Sequence, residues 1–269
     1  MIDLDAYFAR IGYDGPREPS LAVLRRLTEL HPARIVFEAI DVLLDRGVDI
    51  APEAVDAKLI AAGRGGYCYE QNSLFKRVLA ALGFQVEGLL ARVLWMAPPD
   101  IPTRPRTHMA LRVFIDGAPW LADVGFGSCV PTAPLRMDVF EPQATGHEAF
   151  RFRRVGPELL LEAQLGEVWQ PVYQLGPEPQ LEVDYELPNW FTSTHPSSHF
   201  RHNLLVAKTT PEARFGLLHN RLTIRRPDGT MERRELAPAE IETTLVETFG
   251  LPVEPAWRPL FERAAAAGG

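Results

Sequence analysis

The sequence predicts an α+β protein, because helical and strand patterns occupy different parts of its 269 residues. Residues 1–83 carry helical patterns that are separated by Gly-Pro, His-Pro and Ala-Pro breaks. Short strand patterns take over at residue 84, and strands and helices are mixed after a break near Pro188. We therefore expect a helical domain (1–83), a strand-rich domain (84–187) and a mixed domain (188–269).

The first domain contains four short helical patterns and one clear helix. The short patterns begin near Leu4, Leu21, Phe37 and Ala54. The clear helix follows Cys68, and its apolar residues recur at steps of three and four: Leu74, Phe75, Val78, Leu79 and Leu82. Gly83 is a typical residue to end it.

The second domain reads as a small antiparallel sheet or barrel. Strand patterns occupy residues 86–95, 108–115, 118–124, 150–154, 159–163 and 169–175. A Pro-rich loop with Pro98, Pro99, Pro102 and Pro105 separates the first two. The third domain adds strands at 204–209, 217–225 and 231–236 and a helix at 238–249.

Charge and composition exclude several classes of function. The net charge of -7 argues against nucleic acid as the main partner, because phosphate binding needs a basic surface. Two Cys cannot build a disulfide framework or a four-thiolate zinc site. We expect no signal peptide, since residues 1–5 lack a basic start before an apolar run, and no stretch is long enough to cross a membrane. These features favour a protein of the reducing cytoplasm.

The segment 64–72 (RGGYCYEQN) contains the main candidate for chemistry. Gly65 and Gly66 suit a tight bend that lets another backbone or a ligand come close. Cys68 then lies at the first turn of the clear helix, where unpaired N–H groups and the helix dipole favour an anion. We interpret Cys68 as a nucleophilic thiol.

A predicted hairpin supplies two partners for this thiol. Asp116-Gly117 between apolar runs indicates a two-residue type I′ turn, in which Ile115 faces Ala118. This register places His108 and Asp123 on one face of the sheet as diagonal neighbours. The opposite face is apolar and is expected to be core: Met109, Leu111, Val113, Ile115, Ala118, Trp120, Ala122 and Val124.

Cys68, His108 and Asp123 together have the composition of a nucleophilic triad. The thiolate would attack a carbonyl, His108 would move protons, and Asp123 would orient the imidazole. Backbone N–H groups at the helix start are candidate oxyanion donors. A lone buried Cys or a His/Asp pair in a hairpin is more often structural, and their combination favours the catalytic interpretation. We expect the Cys68 helix to pack on the His/Asp face of the hairpin.

At these residues the sequence resembles the arylamine N-acetyltransferase family. The resemblance rests on segment 64–72, on residues 107–111 (THMAL) and on residues 123–127 (DVGFG). Residues 7–13 (YFARIGY) and 37–41 (FEAID) also fit, so the resemblance covers nearly the whole chain. It departs at Val36 and Ala39, where the family usually has Pro and Asn, and at Tyr69, where Phe is common.

The resemblance implies a fold and a reaction. The fold would be a helical bundle domain, an antiparallel β-barrel domain and an α/β lid, with a cysteine-protease-like (transglutaminase-like) catalytic core. Acetyl-CoA would acylate Cys68 as a co-substrate, and an arylamine, arylhydrazine or N-hydroxyarylamine would then attack the thioester in a ping-pong cycle. No permanently bound cofactor or metal is implied.

The resemblance also implies binding residues. Four positions match the apolar pocket of the family: Phe37, Val93, Phe126 and Phe200. Three match positions that contact CoA: Trp95, Thr107 and Gly127. No Walker or dinucleotide Gly motif is present, so CoA recognition is expected to be diffuse. Arg10 and Glu38 resemble a buried ion pair of the family, which we read as structural.

Other interpretations stay open at this point. The same triad serves an amide synthase, which closes a macrocycle, or a cysteine hydrolase, in which water attacks the thioester. A metal-binding module is suggested by His195, His199 and His202, although Pro196 disfavours a continuous helix through them. A non-enzymatic relic is disfavoured by the intact triad. Cys129 is read as structural. The sequence does not indicate the oligomeric state.

Overall fold

The computed structural model describes residues 2–97 and 103–267. Pro98, Pro99 and Pro102 of the expected Pro-rich loop lie outside these described residues. The chain forms an α+β fold with a helical part, a nearly closed antiparallel barrel and a mixed α/β part, which confirms the predicted fold class. The domain limits at residues 83 and 187 stay a prediction.

Helices of the first part begin and end at local signals. Asp3 caps α1 by accepting a hydrogen bond from the Ala6 N–H at 3.0 Å, and Gly12 ends it in the left-handed region at φ 72°. Ser20 caps α2 in the same way through Val23 N–H. The helices of this part are α1 (Leu4–Ile11), α2 (Leu21–Arg34), α3 (Ile40–Leu43), α4 (Pro52–Asp56), which continues into a π turn, and α5 (Cys68–Ala81).

The helix expected near Phe37 begins slightly later in the chain. Phe37–Glu38 is a short strand, β1, which pairs with residues 206–207 far along the chain and forms a parallel bridge to Gly66. The following helix begins only at Ile40. Pairing to a distant strand overrides the local helical pattern here.

Seven strands form the barrel. They are β2 (Gln85–Val93), β3 (His108–Ile115), β4 (Ala118–Ala122), β5 (Leu135–Arg136), β6 (Phe150–Val155), β7 (Glu158–Leu165) and β8 (Val168–Leu175), and their order is β5-β4-β3-β2-β8-β7-β6. Gln143 joins the two edges, because its backbone pairs with Phe150 of β6 while its side chain bonds both backbone groups of Arg136 in β5. Gln143 therefore bridges the gap between the two edge strands, β5 and β6, of the nearly closed barrel.

The β3–β4 hairpin has the predicted register. Ile115 faces Ala118 and Leu111 faces Ala122 across the ladder. Asp116 and Gly117 both have positive φ, at 52° and 75°, as a type I′ turn requires. Asp123 lies one residue past the end of β4.

Helix α5 packs on the apolar face of this hairpin. Met109, Leu111 and Val113 share one apolar cluster with the buried residues of α5, whereas Ala110 and Leu121 belong to a second cluster inside the barrel. The expectation that α5 packs on the His/Asp face is therefore wrong. The start of the helix instead meets the end of the hairpin, where His108 and Asp123 lie.

The third part is an antiparallel sheet covered by helices. It contains helix α6 (Glu186–Thr194), strands β9 (Leu205–Thr209), β10 (Arg214–Leu218), β11 (Arg221–Arg225) and β12 (Met231–Glu235), and helices α7 (Pro238–Glu247) and α8 (Arg258–Ala267). Strand β1 of the first part forms one edge of this sheet, next to β9. Across residues 2–97 and 103–267, none of the helices has both the length and the hydropathy of a membrane span.

Candidate active site

Cys68 is the first residue of α5, and local contacts fix it there. Glu70 accepts a hydrogen bond from the Tyr67 N–H at 3.0 Å and so caps the helix start. Gly65 lies against the backbone of the neighbouring strand, since a Cβ at Gly65 would overlap the carbonyl oxygen of Val36. The Cys68 side chain is almost fully buried, with only 4% of the residue exposed, in the apolar cluster of the first part.

His108 and Asp123 form a hydrogen-bonded pair beside this thiol. His108 Nε2 lies 2.7 Å from Asp123 Oδ2, and both side chains are buried. Burial by itself lowers the pKa of His108, but the Asp123 carboxylate and a hydrogen bond with Cys68 outweigh it and raise that pKa to about 10. His108 is therefore an imidazolium at neutral pH, and its Nδ1 is the ring nitrogen left for Cys68.

Asp123 stays ionised despite complete burial. Burial raises the pKa of its carboxyl group, but His108 and the hydrogen bonds from Asn72 and Gly125 lower it below its usual range. Both donors lie 2.9 Å from Asp123 Oδ1. The carboxylate therefore has a donor on each oxygen, as a buried charge requires.

Asn72 is a further positioning residue, for which the sequence pattern predicts no role. Its Nδ2 also donates to Met109 O at 2.7 Å, and its Oδ1 accepts from Val124 N–H at 3.1 Å. One side chain of α5 thus holds both strands of the hairpin. The signal was present in the spacing, because Asn72 lies four residues after Cys68 and so on the same helix face.

Aromatic residues form two walls around the thiol and the imidazole. On one side the Phe37 and Phe200 rings lie 6.0 Å apart, and Phe200 also meets the ring of Tyr67 at 5.9 Å. On the other side Phe126 stands edge-on to His108 at 5.0 Å. Sequence reasoning missed Tyr173, whose ring lies 5.0 Å from both His108 and Phe126.

The remaining predicted binding residues lie next to these walls. Val93 is partly buried and pairs with Tyr173 in the sheet, and the Trp95 ring lies 6.5 Å from that of Phe126. Thr107 O lies 3.7 Å from Cys68 Sγ. Gly127 has φ 77°, and a Cβ there would lie 3.3 Å from the Phe37 ring. Of the sequence-predicted binding residues, Thr107 therefore contacts Cys68 and Phe126 contacts His108, whereas the other five reach this pair through neighbouring residues.

The expected Arg10–Glu38 ion pair is wrong. Glu38 pairs with Arg64 at 2.7 Å, and both are buried. Arg10 instead donates to backbone carbonyl groups, including Arg34 O at 2.7 Å and Leu59 O at 3.0 Å. Arg10 therefore ties α1 to the segments that lead into β1 and α5.

The three histidines after α6 have other partners. His195 Nδ1 lies 2.8 Å from Ser197 Oγ, His202 Nε2 donates to Pro196 O at 2.7 Å, and the His199 ring packs on Phe200. In the part of the chain that the structure describes, no group of three or more His, Cys, Asp or Glu side chains is placed to hold a metal ion.

A helix start that meets the end of a barrel hairpin is the architecture of the cysteine-protease-like, or transglutaminase-like, class of folds. A family model described as N-acetyltransferase matches residues 20–258 of the chain. The chain belongs to the arylamine N-acetyltransferase family and is an acyltransferase.

Individual relatives are similar to this chain over most of their length. The arylamine N-acetyltransferase of Mycolicibacterium smegmatis is 41% identical over 253 residues, which cover 93% of this chain and 92% of the relative. That of Escherichia coli is 38% identical over 94% of this chain and 90% of its own. The structure of the Mycobacterium marinum enzyme in complex with CoA superposes with a TM-score of 0.92 at 40% identity, covering 98% of each chain.

Proposed function

We propose that the chain transfers the acetyl group of acetyl-CoA to the nitrogen of arylamines, arylhydrazines or N-hydroxyarylamines, through an acetyl-Cys68 thioester. The observation that supports this most directly is the buried His108–Asp123 pair at 2.7 Å beside the Cys68 thiol. Relatives that share most of the chain are named for acetyl transfer to arylamines, and one of them was solved with CoA.

The first half of the cycle acetylates the thiol. The His108 imidazolium favours the Cys68 thiolate by its charge, and the thiolate attacks the acetyl carbonyl. Backbone N–H groups of the first turn of α5 are the candidate donors to the developing oxyanion. The bond to the CoA sulfur then breaks, and His108 gives its proton to the departing thiolate, which leaves as CoA.

The second half regenerates the enzyme. The amine attacks the thioester carbonyl and passes a proton to the now neutral His108, while the Cys68 thiolate leaves. Asp123 stays ionised throughout and keeps the imidazole in the orientation that suits both transfers. The thiolate–imidazolium pair is restored when the amide departs.

The aromatic walls suit the acceptor. Aryl rings need apolar surroundings with few polar groups, and Phe37, Phe126 and Phe200 supply them on two sides of the reacting groups. Val93 adds an aliphatic side chain next to Tyr173, its partner across the β2–β8 pair. We assign Trp95, Thr107 and Gly127 to the pantetheine end of CoA; in support, Thr107 O lies 3.7 Å from Cys68 Sγ. The reducing cytoplasm is the compartment that would keep the thiol available.

Intact mass after incubation with acetyl-CoA tests the proposal. A gain of one acetyl group that maps to Cys68 and is removed by an aromatic amine, with the acetylated amine as product, is the expected result. Cys68→Ser should abolish both the mass gain and turnover. Cys129→Ala is the matched control and should acetylate normally, because burial raises the pKa of the Cys129 thiol to about 12 and keeps it unreactive.

Other outcomes would redirect the assignment. Release of acetate from the acetylated protein without any amine, at the rate seen with amine, would indicate a hydrolase. A stable acetyl-enzyme that no aromatic amine or hydrazine discharges would contradict the proposed acceptor class.

A further inference from the structure

A buried chain of polar side chains runs behind the Cys68 helix. The Tyr7 hydroxyl lies 2.8 Å from His31 Nδ1, and His31 Nε2 lies 2.6 Å from Gln71 Oε1. Each of the three residues is fully buried. These hydrogen bonds link α1, α2 and α5, and the reaction proposed above does not use them.

The contacts of Gln71 fix the direction of these hydrogen bonds. Gln71 Nε2 faces the carbonyl oxygens of Ile35, Val36 and Gly66 at 3.2, 2.8 and 3.1 Å, so this atom must be the amide nitrogen. Gln71 Oε1 therefore accepts from His31 Nε2–H, and His31 Nδ1 accepts from the Tyr7 hydroxyl. Burial lowers the pKa of His31 to about 3, which agrees with this neutral tautomer.

This series of hydrogen bonds ends beside the site, where the backbones of Val36 and Gly66 meet. Gly66 N–H donates to Val36 O at 3.2 Å, and Glu38 N–H donates to Gly66 O at 3.1 Å. Gln71 adds a donor to each of these two carbonyl groups and so joins the strand that carries Phe37 to the segment that leads into Cys68. Phe37 lies between Val36 and Glu38, and its ring forms the wall with Phe200.

We infer that His31 and Gln71 are positioning residues for the acceptor half-reaction: they hold the Val36–Phe37 backbone against Gly66 and so keep the Phe37 ring in place for the aryl group. The inference rests on the proposed function, in which Phe37 lines the acceptor pocket. Gln71 is oriented by His31, which in turn is oriented by Tyr7.

The test compares two nucleophiles on the preformed acetyl-enzyme. An aromatic amine needs the Phe37 wall, whereas hydroxylamine attacks the same thioester without an aryl ring. Gln71→Met keeps the size of the side chain but removes both hydrogen-bonding groups. It should slow discharge by the aromatic amine roughly tenfold, because the Val36 and Gly66 carbonyl groups lose the donor that joins them. Acetylation of Cys68 and discharge by hydroxylamine should change less than about twofold.

A matched pair at His31 isolates the hydrogen bond from the aromatic contact. His31→Gln and His31→Met both lose the ring that packs edge-on against Phe75. Only His31→Gln keeps a donor for Gln71 Oε1, so it should retain most of the aromatic-amine rate while His31→Met loses it. Tyr7→Phe should fold normally and slow the aromatic amine about threefold, because His31 Nδ1 loses the hydroxyl group that helps to hold the ring in place.

Two results would overturn the inference. One is an unchanged aromatic-amine rate in Gln71→Met or, should that variant not fold, in Tyr7→Phe. The other is an equal fall for both nucleophiles, which would show a general loss of structure. Failure of the proposed function would look different, because the unaltered protein would then gain no acetyl group.

Discussion

Gly125 and Cys68 pack backbone against backbone. A Cβ at Gly125 would lie 2.9 Å from Cys68 Cα and 2.8 Å from Asn72 Nδ2, closer than side-chain carbons approach such atoms. Only glycine lets the end of the hairpin approach the start of α5 this closely. The Gly125 N–H also donates to Asp123 Oδ1 at 2.9 Å, two residues earlier in the chain.

Gly125→Ala should therefore disable the site. The new methyl group has to push α5 away from the hairpin, which we expect to cost about 1–3 kcal/mol of unfolding free energy and most of the alkylation rate of Cys68. Gly117→Ala in the same hairpin is the control. It has positive φ but no atom within 4 Å of the added Cβ, so it should lower stability and leave alkylation unchanged. Equal alkylation rates in the two variants would contradict this account.

Asp123→Asn should lower the reactivity of Cys68 at neutral pH. The amide keeps the size of the side chain but removes the charge that raises the pKa of His108. A neutral imidazole attracts the thiolate less, so we expect alkylation by iodoacetamide to slow roughly tenfold or more. The rate is measured by intact mass with mapping to Cys68. An unchanged rate would count against the triad.

The His108–Asp123 pair should also make stability depend on pH. The pKa of His108 is raised from 6.5 to about 10 in the folded protein, so its contribution is fully present below pH 6.5 and is lost as pH rises toward 10. Tyr173, which faces the same imidazole, does not titrate in this window because burial raises its pKa further. Urea unfolding should show the advantage of wild type over Asp123→Asn shrinking between pH 6.5 and 10. A constant difference would argue against the ionised pair.

Asn72→Ala should weaken both the fold and the site. It removes donors to Met109 O and Asp123 Oδ1 and the acceptor of Val124 N–H, all buried. We expect a loss of about 1–3 kcal/mol in unfolding free energy and a slower acetylation of Cys68. Ser73→Ala on the same helix removes only a bond to Glu70 O and should leave acetylation unchanged. Similar acetylation rates in both variants would contradict a positioning role for Asn72.

Local chemistry explains why much of the site could be predicted from the sequence. The Asp116-Gly117 turn fixes the register of its hairpin, and the side-chain alternation of strands then brings His108 to Asp123. The helix pattern after Cys68 likewise follows from sequence-adjacent residues. Features that depend on residues close together in the sequence could therefore be predicted.

Features that depend on pairing between distant parts of the chain could not be predicted from the sequence. Phe37 has the pattern of a helix start, but its partner Ala207 lies far away in the sequence and imposes a strand. The residue pattern does not show on which face of the hairpin α5 packs, because both faces are buried, one against the helix and one inside the barrel. Glu38 pairs with Arg64 and not with Arg10. Arg64 directly precedes Gly65 and Gly66, whose backbone lies against the strand that contains Glu38.

Strand β1 has a consequence for the order in which the chain folds. Its two residues pair with β9, so one wall of the pocket depends on a contact between residues 37 and 207. Closing so long a loop is slow and comes late in folding. During synthesis, the N-terminal part with Cys68 leaves the ribosome well before the strand that completes its surroundings. The nascent thiol therefore stays without its final pocket until most of the protein has been made.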